Sequence, residues 1–466
     1  MSRKKIRFSL LERVEIGPAG AEGNCIARVD NQVVFVKKAA PGDIADIQIT
    51  GKKKKYLEGK IATLHEASPQ RVTPFCEHFS YCGGCKWQHL DYKAQLALKQ
   101  QQVIDALQRI GGQKDFEVLP IAGAEKVREY RNKLEMTFSH RGWVEHFDRE
   151  NPEDQTALGY HVPGRFDKVF DVTQCHLMPP LVNDITRSVK TFADAHGYAF
   201  FDLREQVGLL RTIMLRCNRK GEWMVLLSFG EDNAEAIEAV MKHVQVSFPQ
   251  ITSLVYVINT KRNDTLADLE VLTYAGQDSI TETLDGLVFK IRPQSFFQTN
   301  PEQAEVLYRI TKDFAGLTGQ ELVYDLYTGT GSIAMYVADK ASKVVGVEYV
   351  PEAVADAAVN MQLNNISNTA FFAGDMKEIL NSEFIALHGK PDVVITDPPR
   401  DGMHPSVVDR LLEMEAKRIV YVSCNPATQA RDAIKLGEKY TLVKVQPVDM
   451  FPHTHHVENV GLWELK

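Results

Sequence analysis

Residues 322–432 constrain the fold most. Short runs of apolar and β-branched residues alternate there with helix-forming stretches, and acids stand where the runs end. Leu322-Val323-Tyr324-Asp325 is the first run. Val344–Val347 ends in Glu348, Phe371-Phe372 leads to Asp375, and Val393–Thr396 leads into Asp397-Pro398-Pro399-Arg400. Regular strand–helix alternation predicts a doubly wound, Rossmann-like α/β sheet. Ligands bind such sheets at the carboxyl ends of the strands, which is where these acids fall.

The turn after the first strand is Thr328-Gly329-Thr330-Gly331, and a helix is predicted over 332–340. Its glycines let a ligand approach the backbone. Glu348 stands 23 residues after Asp325, placed to accept both hydroxyls of a ribose, and Asp375 is placed for an adenine amine. The loop lacks the third glycine of the pyrophosphate fingerprint and the Gly-Lys-Ser/Thr of a P-loop. A nucleoside without phosphates, such as S-adenosylmethionine, suits it better than NAD or ATP. A sheet of this kind with no cofactor is the plainer reading, and three strand-end acids in register speak against it.

A second organising stretch is Ile419–Asp432, IVYVSCNPATQARD. Ile419–Val422 forms a buried strand, and Asn425-Pro426 breaks it, because proline lacks the ladder N–H and restricts the residue before it. Thr428 is predicted to cap a helix beginning near Gln429. Cys424 is thereby presented on a sharp turn at a strand end, a candidate nucleophile. A lone cysteine is more often an ordinary buried thiol, so the rest of the chain has to decide.

With 466 residues the chain has room for two to four domains. No apolar run is long enough for a secretory leader or a membrane span, so the cytoplasm is the expected compartment. Seven cysteines in such a chain argue for metal binding or catalysis over disulfides. The net charge of −7 argues against a nucleic-acid binder, but its distribution does not. Residues 1–64 carry thirteen Lys/Arg against seven Asp/Glu, which leaves −13 for the remainder. A basic module on an acidic body suits a polyanionic partner, although a solvated lysine-rich face accounts for the charge equally well.

That module, 7–64, reads as a small β-barrel. Val33–Val36 and Ile44–Ile49 are predicted strands, and Pro41-Gly42-Asp43 turns between them. The basic run Lys52–Lys55 lies at a strand end, suited to a phosphate backbone. Cys76, Cys82 and Cys85 follow on one glycine-bearing loop. Cys175 is the best fourth ligand, since Cys25 belongs to the barrel and Cys217 to an apparent strand. Zinc and an iron–sulfur cluster both accept four thiolates, and the spacing does not choose between them. Residues 93–111 are predicted as an amphipathic helix with Leu96, Leu98, Val103, Ile104, Leu107 and Ile110 as its apolar stripe. Residues 118–290 read as β-rich with helices near 182–196 and 233–247. Tyr130-Arg131-Asn132-Lys133 suits contact with single-stranded RNA, but a salt-bridged surface strand is the plainer reading.

Taken together, these residues resemble the S-adenosylmethionine-dependent RNA (uracil-5)-methyltransferases, and in particular their iron–sulfur-containing 23S ribosomal RNA branch. Phe296-Phe297-Gln298-Thr299-Asn300, Asp325–Gly331, Asp397–Arg400, Ser423–Pro426 and the tail Phe451–Glu458 match that family's motifs in order, and the pairing of cysteine and tail is the most specific. The resemblance implies a TRAM-like RNA-binding barrel over 1–64 and a central α+β domain over 65–290, with helix 93–111 free to pack on the catalytic domain. The methyltransferase domain would follow over 291–466. It implies a [4Fe-4S] cluster on Cys76, Cys82, Cys85 and Cys175, and S-adenosylmethionine with the target uracil near Gln298, Tyr327, Glu348, Asp375 and Asp397. Cys424 would attack the base and Glu458 would remove its C5 proton. The target uridine would be single-stranded or flipped out, and the enzyme a cytoplasmic monomer.

The 89 residues between Cys85 and Cys175 exceed the family's usual spacing, with the excess expected in 146–168. Ser332 stands where related members can carry Asn. His453, His455 and His456 read as ordinary loop residues, not metal ligands. The competing readings are an amino-group methyltransferase of adenine or guanine, a transfer-RNA uracil methyltransferase, and a non-catalytic RNA-binding or ribosome-assembly protein.

Overall fold

The computed structural model describes residues 9–144 and 155–466. Strands β1 (Leu10–Glu15), β2 (Cys25–Val29), β3 (Gln32–Lys37), β4 (Ile44–Lys52) and β5 (Leu57–Glu66) form one sheet in the order β1-β4-β5-β3-β2. Gly17 N–H donates to Ile26 O, and Ile26 N–H to Pro18 O, which draws the two edge strands together into a barrel. The period-two pattern explains its core: Val34, Val36, Ala45, Ile47 and Ile49 all point inward and are buried.

The cysteine loop leads into helix α1 (Tyr92–Asp105), capped by Asp91 and extended by a π-turn over Ala106–Ile110. The expected apolar stripe is corrected in part. Val103 and Leu107 are buried, but Ile110 is half exposed, and Gln95 and Lys99 lie fully buried. The reason is the helix's neighbour, a loop rich in backbone carbonyls, which calls for donors and not methyl groups. Strand β6 (Glu117–Val118) then joins the edge of the catalytic sheet. Residues 92–118 thus pack with the catalytic body.

Strands β7 (Lys133–Ser139), β8 (Ala157–His161) and β9 (Val169–Asp171), helix α2 (Leu181–Ala195), strands β10 (Leu210–Cys217) and β11 (Trp223–Phe229), helix α3 (Ala234–Ser247), and strands β12 (Ser253–Ile258) and β13 (Leu272–Gly276) build the central domain. Its seven strands run in the order β13-β12-β11-β10-β7-β8-β9. Part of the stretch 146–168, where the long cysteine spacing was placed, lies outside the described residues. Residues 130–133 are not a surface strand. Tyr130 and Asn132 are buried, and Asn132 Nδ2 donates to Gln298 O at 3.1 Å. A hairpin of β14 (Ile280–Leu284) and β15 (Leu287–Ile291) turns on Asp285-Gly286, both at positive φ, the chemistry of a tight hairpin.

The catalytic domain is the predicted doubly wound sheet. Its elements are α4 (Pro301–Ala315), β16 (Leu322–Leu326), α5 (Ser332–Val337), β17 (Lys343–Glu348), α6 (Pro351–Leu363), β18 (Thr369–Ala373), α7 (Met376–Ile379), α8 (Ser382–His388), β19 (Val393–Thr396), α9 (Pro405–Met414), β20 (Arg418–Ser423), α10 (Pro426–Leu436), β21 (Tyr440–Val448) and β22 (Glu458–Leu465). The strand order is β18-β17-β16-β19-β20-β22-β21-β6. The first five strands are parallel, and helices cover both faces. That explains why β16, β19 and β20 read as continuous apolar runs instead of alternating ones. Strand β22 enters antiparallel to β20, with Asn459 opposite Ser423. Cys424 follows Ser423 and Glu458 precedes Asn459, so the two side chains come within electrostatic reach at the end of the paired region.

Candidate active site

The site forms where β16, β17, β19 and β20 end. After β20, Asn425 caps α10 by accepting from Ala427 N–H, and Pro426 occupies the first turn, where its missing N–H costs nothing. The cap is therefore three residues earlier than the Thr428 expected from sequence. Thr428 Oγ1 instead donates to the carbonyls of Asn425 and Arg400. Those bonds, with Asn425 Nδ2 to Arg400 O, tie the Asp397-Pro398-Pro399-Arg400 loop to the cysteine turn.

Cys424 is partly exposed at the floor of a cleft of about 1520 Å³. Its thiol is pushed up to about 12, by burial first, then by Glu458 and Asp397, with Arg400 opposing. Glu458 is buried, and its carboxyl is pushed up to about 8 by burial and then by Asp397, again opposed by Arg400. Asp397 is half-buried at the end of β19. Burial and the neighbouring Asp325 carry it up to about 7. Two carboxyls and a thiol thus stand close enough to raise one another, each disfavouring charge on its neighbours. Such a cluster of displaced acids marks a functional centre more than a structural one. Two residues here were not assigned from sequence. Arg400 offsets the charge on both Cys424 and Glu458, and its place directly after Asp397-Pro398-Pro399 was the available signal. Tyr308, buried on α4 against Ser332, Asp397 and Glu458, left no signal beyond a helical apolar position.

The nucleoside half lies along the adjoining strand ends. Tyr327, Gly329 and Gly331 all take left-handed backbone conformations in the turn after β16. A Cβ on Gly331 would lie 2.7 Å from the Phe371 ring, whereas the space beside Gly329 is open. Glu348 accepts from Gly329 N–H and Val350 N–H, both at 3.0 Å, which aims its carboxylate across the turn. Asp375 caps α7, and its bond from Lys377 N–H leads the interactions that hold it below the usual carboxylate range. Asp325 is fully buried. It accepts from Thr328 Oγ1 on one oxygen and has no partner for the other. A strained turn, an open glycine and strand-end carboxylates fit a nucleoside bearing a sulfonium. Gln298 is held beside this region through its backbone, by Asn132.

Cys76, Cys82, Cys85 and Cys175 line a second, separate cavity of about 110 Å³, together with Arg131 and Tyr160. Burial pushes Cys82 up to about 11 and Cys85 up to about 12, and raises Cys76 and Cys175. Arg131 Nε has no partner, and its guanidinium lowers the cost of charge on Cys175. Among the described residues no three His, Cys, Asp or Glu side chains group tightly enough for a single metal ion. The three histidines of the tail serve as loop residues: His453 O accepts from Lys86 N–H and Trp87 N–H, and His456 Nδ1 lies 3.0 Å from Arg400. Among the described residues no helix is long and apolar enough to cross a membrane.

Comparison with known proteins agrees with this architecture. Residues 273–466 match the model of the tRNA (uracil-5-)-methyltransferase family, and residues 12–62 match the TRAM domain. A Porphyromonas gingivalis protein described as an uncharacterized RNA methyltransferase is 54% identical, covering 96% of this chain and 99% of its own. One from Chlorobaculum tepidum, described in the same way, is 38% identical over 91% and 90%. The crystal structure of Pyrococcus abyssi tRNA (uracil-54, C5)-methyltransferase in complex with S-adenosyl-L-homocysteine superposes with a TM-score of 0.75 at 27% identity, covering 97% of this chain and all of that one. The chain belongs to the RNA uracil-5-methyltransferase family and carries a TRAM domain as its first module.

Proposed function

We propose that this enzyme transfers a methyl group from S-adenosylmethionine to C5 of a uridine in 23S ribosomal RNA, through a covalent bond between Cys424 and C6. The observation that supports the reading is the electrostatic coupling of the Glu458 carboxyl to the Cys424 thiol, next to the last registered pair of β20 and β22. C5 of uracil is a weak nucleophile. The Cys424 thiolate forms a bond to C6, and the displaced π electrons make an enolate that is nucleophilic at C5. The sulfonium of S-adenosylmethionine supplies the methyl group that C5 takes up. Glu458 then accepts the C5 proton, the electrons of that C–H bond restore the C5–C6 double bond, and the thiolate leaves. Asp397 and Gln298 contact the uracil edge, while Tyr327, Glu348 and Asp375 hold the nucleoside. Because the thiol lies at a recessed strand end, the target uridine must be unpaired or flipped out.

We further propose that Cys76, Cys82, Cys85 and Cys175 hold a [4Fe-4S] cluster that ties the 76–85 loop to the central domain. A cavity with room for several water-sized bodies, bordered by four thiols and a guanidinium whose Nε has no partner among the described residues, suits a polynuclear, anionic group. A transfer-RNA substrate is the second reading, favoured by the Pyrococcus abyssi neighbour.

The test is methylation of deproteinised total RNA from a deletion strain, with the product mapped, beside iron analysis of anaerobically purified protein. The expected result is 5-methyluridine in 23S RNA, blocked in Cys424→Ala. Glu458→Gln should accumulate a methylated protein–RNA adduct that survives denaturing electrophoresis. Methylation confined to transfer RNA would select the second reading. About four irons per chain are expected, and stoichiometric zinc without iron would exclude the cluster.

A further inference from the structure

The cleft over Cys424 lies between the catalytic turn, with Arg400 and His456, and the barrel, through Arg13, Gly17 and Arg28; helix α1 and its π-turn, through Gln102 and Arg109, line a third side. The distance between the catalytic turn and the barrel is therefore set wherever the barrel is fixed to the catalytic body. Asp43, with Arg71 Nε and Ser68 N–H on one carboxylate oxygen, ties the barrel to the segment that follows it. A different contact ties the barrel to the tail that carries Glu458.

That contact is the dipeptide Lys86-Trp87. Trp87 is 1% exposed and packs with Ala40 and Leu90 against Ala19 and Leu98. Its indole N–H donates to Gly23 O at 2.9 Å, and Lys86 Nζ donates to Glu22 O at 2.9 Å. The backbone N–H groups of the same two residues donate to His453 O at 2.8 and 3.0 Å. One dipeptide thus grips the barrel with its side chains and the catalytic tail with its backbone. Both gripped segments are in left-handed conformations, Glu22 at φ 67° and His453 at φ 66°. Non-glycine residues hold that region only where their surroundings over-determine it. Gly23, at φ 77°, sits directly on the tail, for a Cβ there would lie 2.8 Å from His455 Cβ and 3.2 Å from Trp87 Nε1.

We propose that Trp87 is a positioning residue that sets the barrel's register over the active site, so that a long RNA engages the barrel and Cys424 together. This rests on the methyltransferase reading above. An RNA long enough to touch both the barrel and the catalytic turn gains from their fixed spacing, because binding to one presents it to the other at high effective concentration. An RNA that fills only the recess gains nothing from it.

Trp87→Phe keeps an aromatic ring and deletes the donor to Gly23, and Gly23→Ala wedges the turn from the tail. Each is compared with the parent on a 23S transcript and on a uridine oligonucleotide of about five nucleotides, near the low end of what a barrel of this kind covers. For Trp87→Phe, KM and Kd for the transcript should rise about fivefold, the size expected when one buried hydrogen bond is removed, and for Gly23→Ala, whose Cβ would crowd His455, they should rise at least as much. The kcat at saturation, S-adenosylmethionine affinity and all constants for the oligonucleotide should stay at parental values. A loss shared equally by the two RNAs, or no loss in either variant, overturns the proposal. Kd is read without turnover, so the comparison stands apart from the identity of the product. That identity is checked separately, by 5-methyluridine in the parent's digest.

Discussion

At the scale of single residues, the recess combines groups whose charges oppose one another. The proposed mechanism uses Cys424 as a thiolate, and burial and then two carboxyls hold its thiol up at about 12. It uses Glu458 as a base, and that carboxyl is pushed up to about 8. A sulfonium brought against this recess supplies the missing positive charge and lowers the cost of ionising both groups. The kcat/KM of the free enzyme should rise with pH towards about 8, where the Glu458 carboxyl ionises, and kcat should level off at a lower pH because the bound sulfonium eases that ionisation. Stability moves the other way. A carboxyl whose folded value is raised stabilises the fold fully below its unfolded value of ~4.3, and that contribution is lost as pH climbs through about 8. Glu458→Gln removes this penalty, so its melting temperature at pH 9 should exceed the parent's by about 2 °C or more, with the difference vanishing near pH 4. Parallel melting curves across the range would show that Glu458 ionises without strain.

At the scale of elements, the tail loop between β21 and β22 shows what holds Glu458's neighbourhood in place. Five successive carbonyls of that loop are claimed from outside it. Gln303 takes that of Asp449, Asn300 that of Met450, Lys99 that of Phe451, Tyr130 that of Pro452, and Lys86 with Trp87 that of His453. Helix α1 holds the first part of the loop through three side chains. Lys99 Nζ lies 2.5 Å from Asp449, both fully buried, Tyr92 donates to the other carboxylate oxygen, and Gln95 pairs with His453. This is the part that periodicity could not show. The strands, the turn glycines and the strand-end acids were legible because each follows from local chemistry. The burial of Gln95 and Lys99 was not, because it depends on a loop some 350 positions away. Likewise Thr428 looked like a cap only because Asn425 was read as a strand breaker and not as the cap itself. Lys99→Met leaves Asp449 buried without its cation and should destabilise the chain by about 3–5 kcal/mol. Adding Asp449→Asn should restore much of that loss in denaturant titrations. A single variant as stable as the parent would mean that the loop stands without the clamp.

At the scale of the whole molecule, the charge asymmetry seen in the sequence resolves into two surfaces. The cleft itself is not a phosphate funnel. Arg13, Arg28, Arg109 and Arg400 line it, but so do Glu12, Glu15, Glu22, Asp105 and Asp401. Nearly balanced charge there suits reading and splaying bases more than gripping a backbone. Lys52–Lys55 lie instead at the end of β4 and the turn into β5, all exposed and none lining the cleft. If the barrel meets phosphates through this run, its contribution is electrostatic and distant from the chemistry. Replacing the four lysines with glutamine should then weaken binding of a 23S transcript at low salt. It should also lessen the slope of log affinity against log salt, by about 0.7 for each single-strand phosphate that the run no longer neutralises. Affinity for a five-nucleotide oligonucleotide and for S-adenosylmethionine should not change, because neither reaches the run. An unaltered slope would reduce these lysines to a solvated face and leave the barrel's hold on RNA to Arg13 and Arg28 along the cleft.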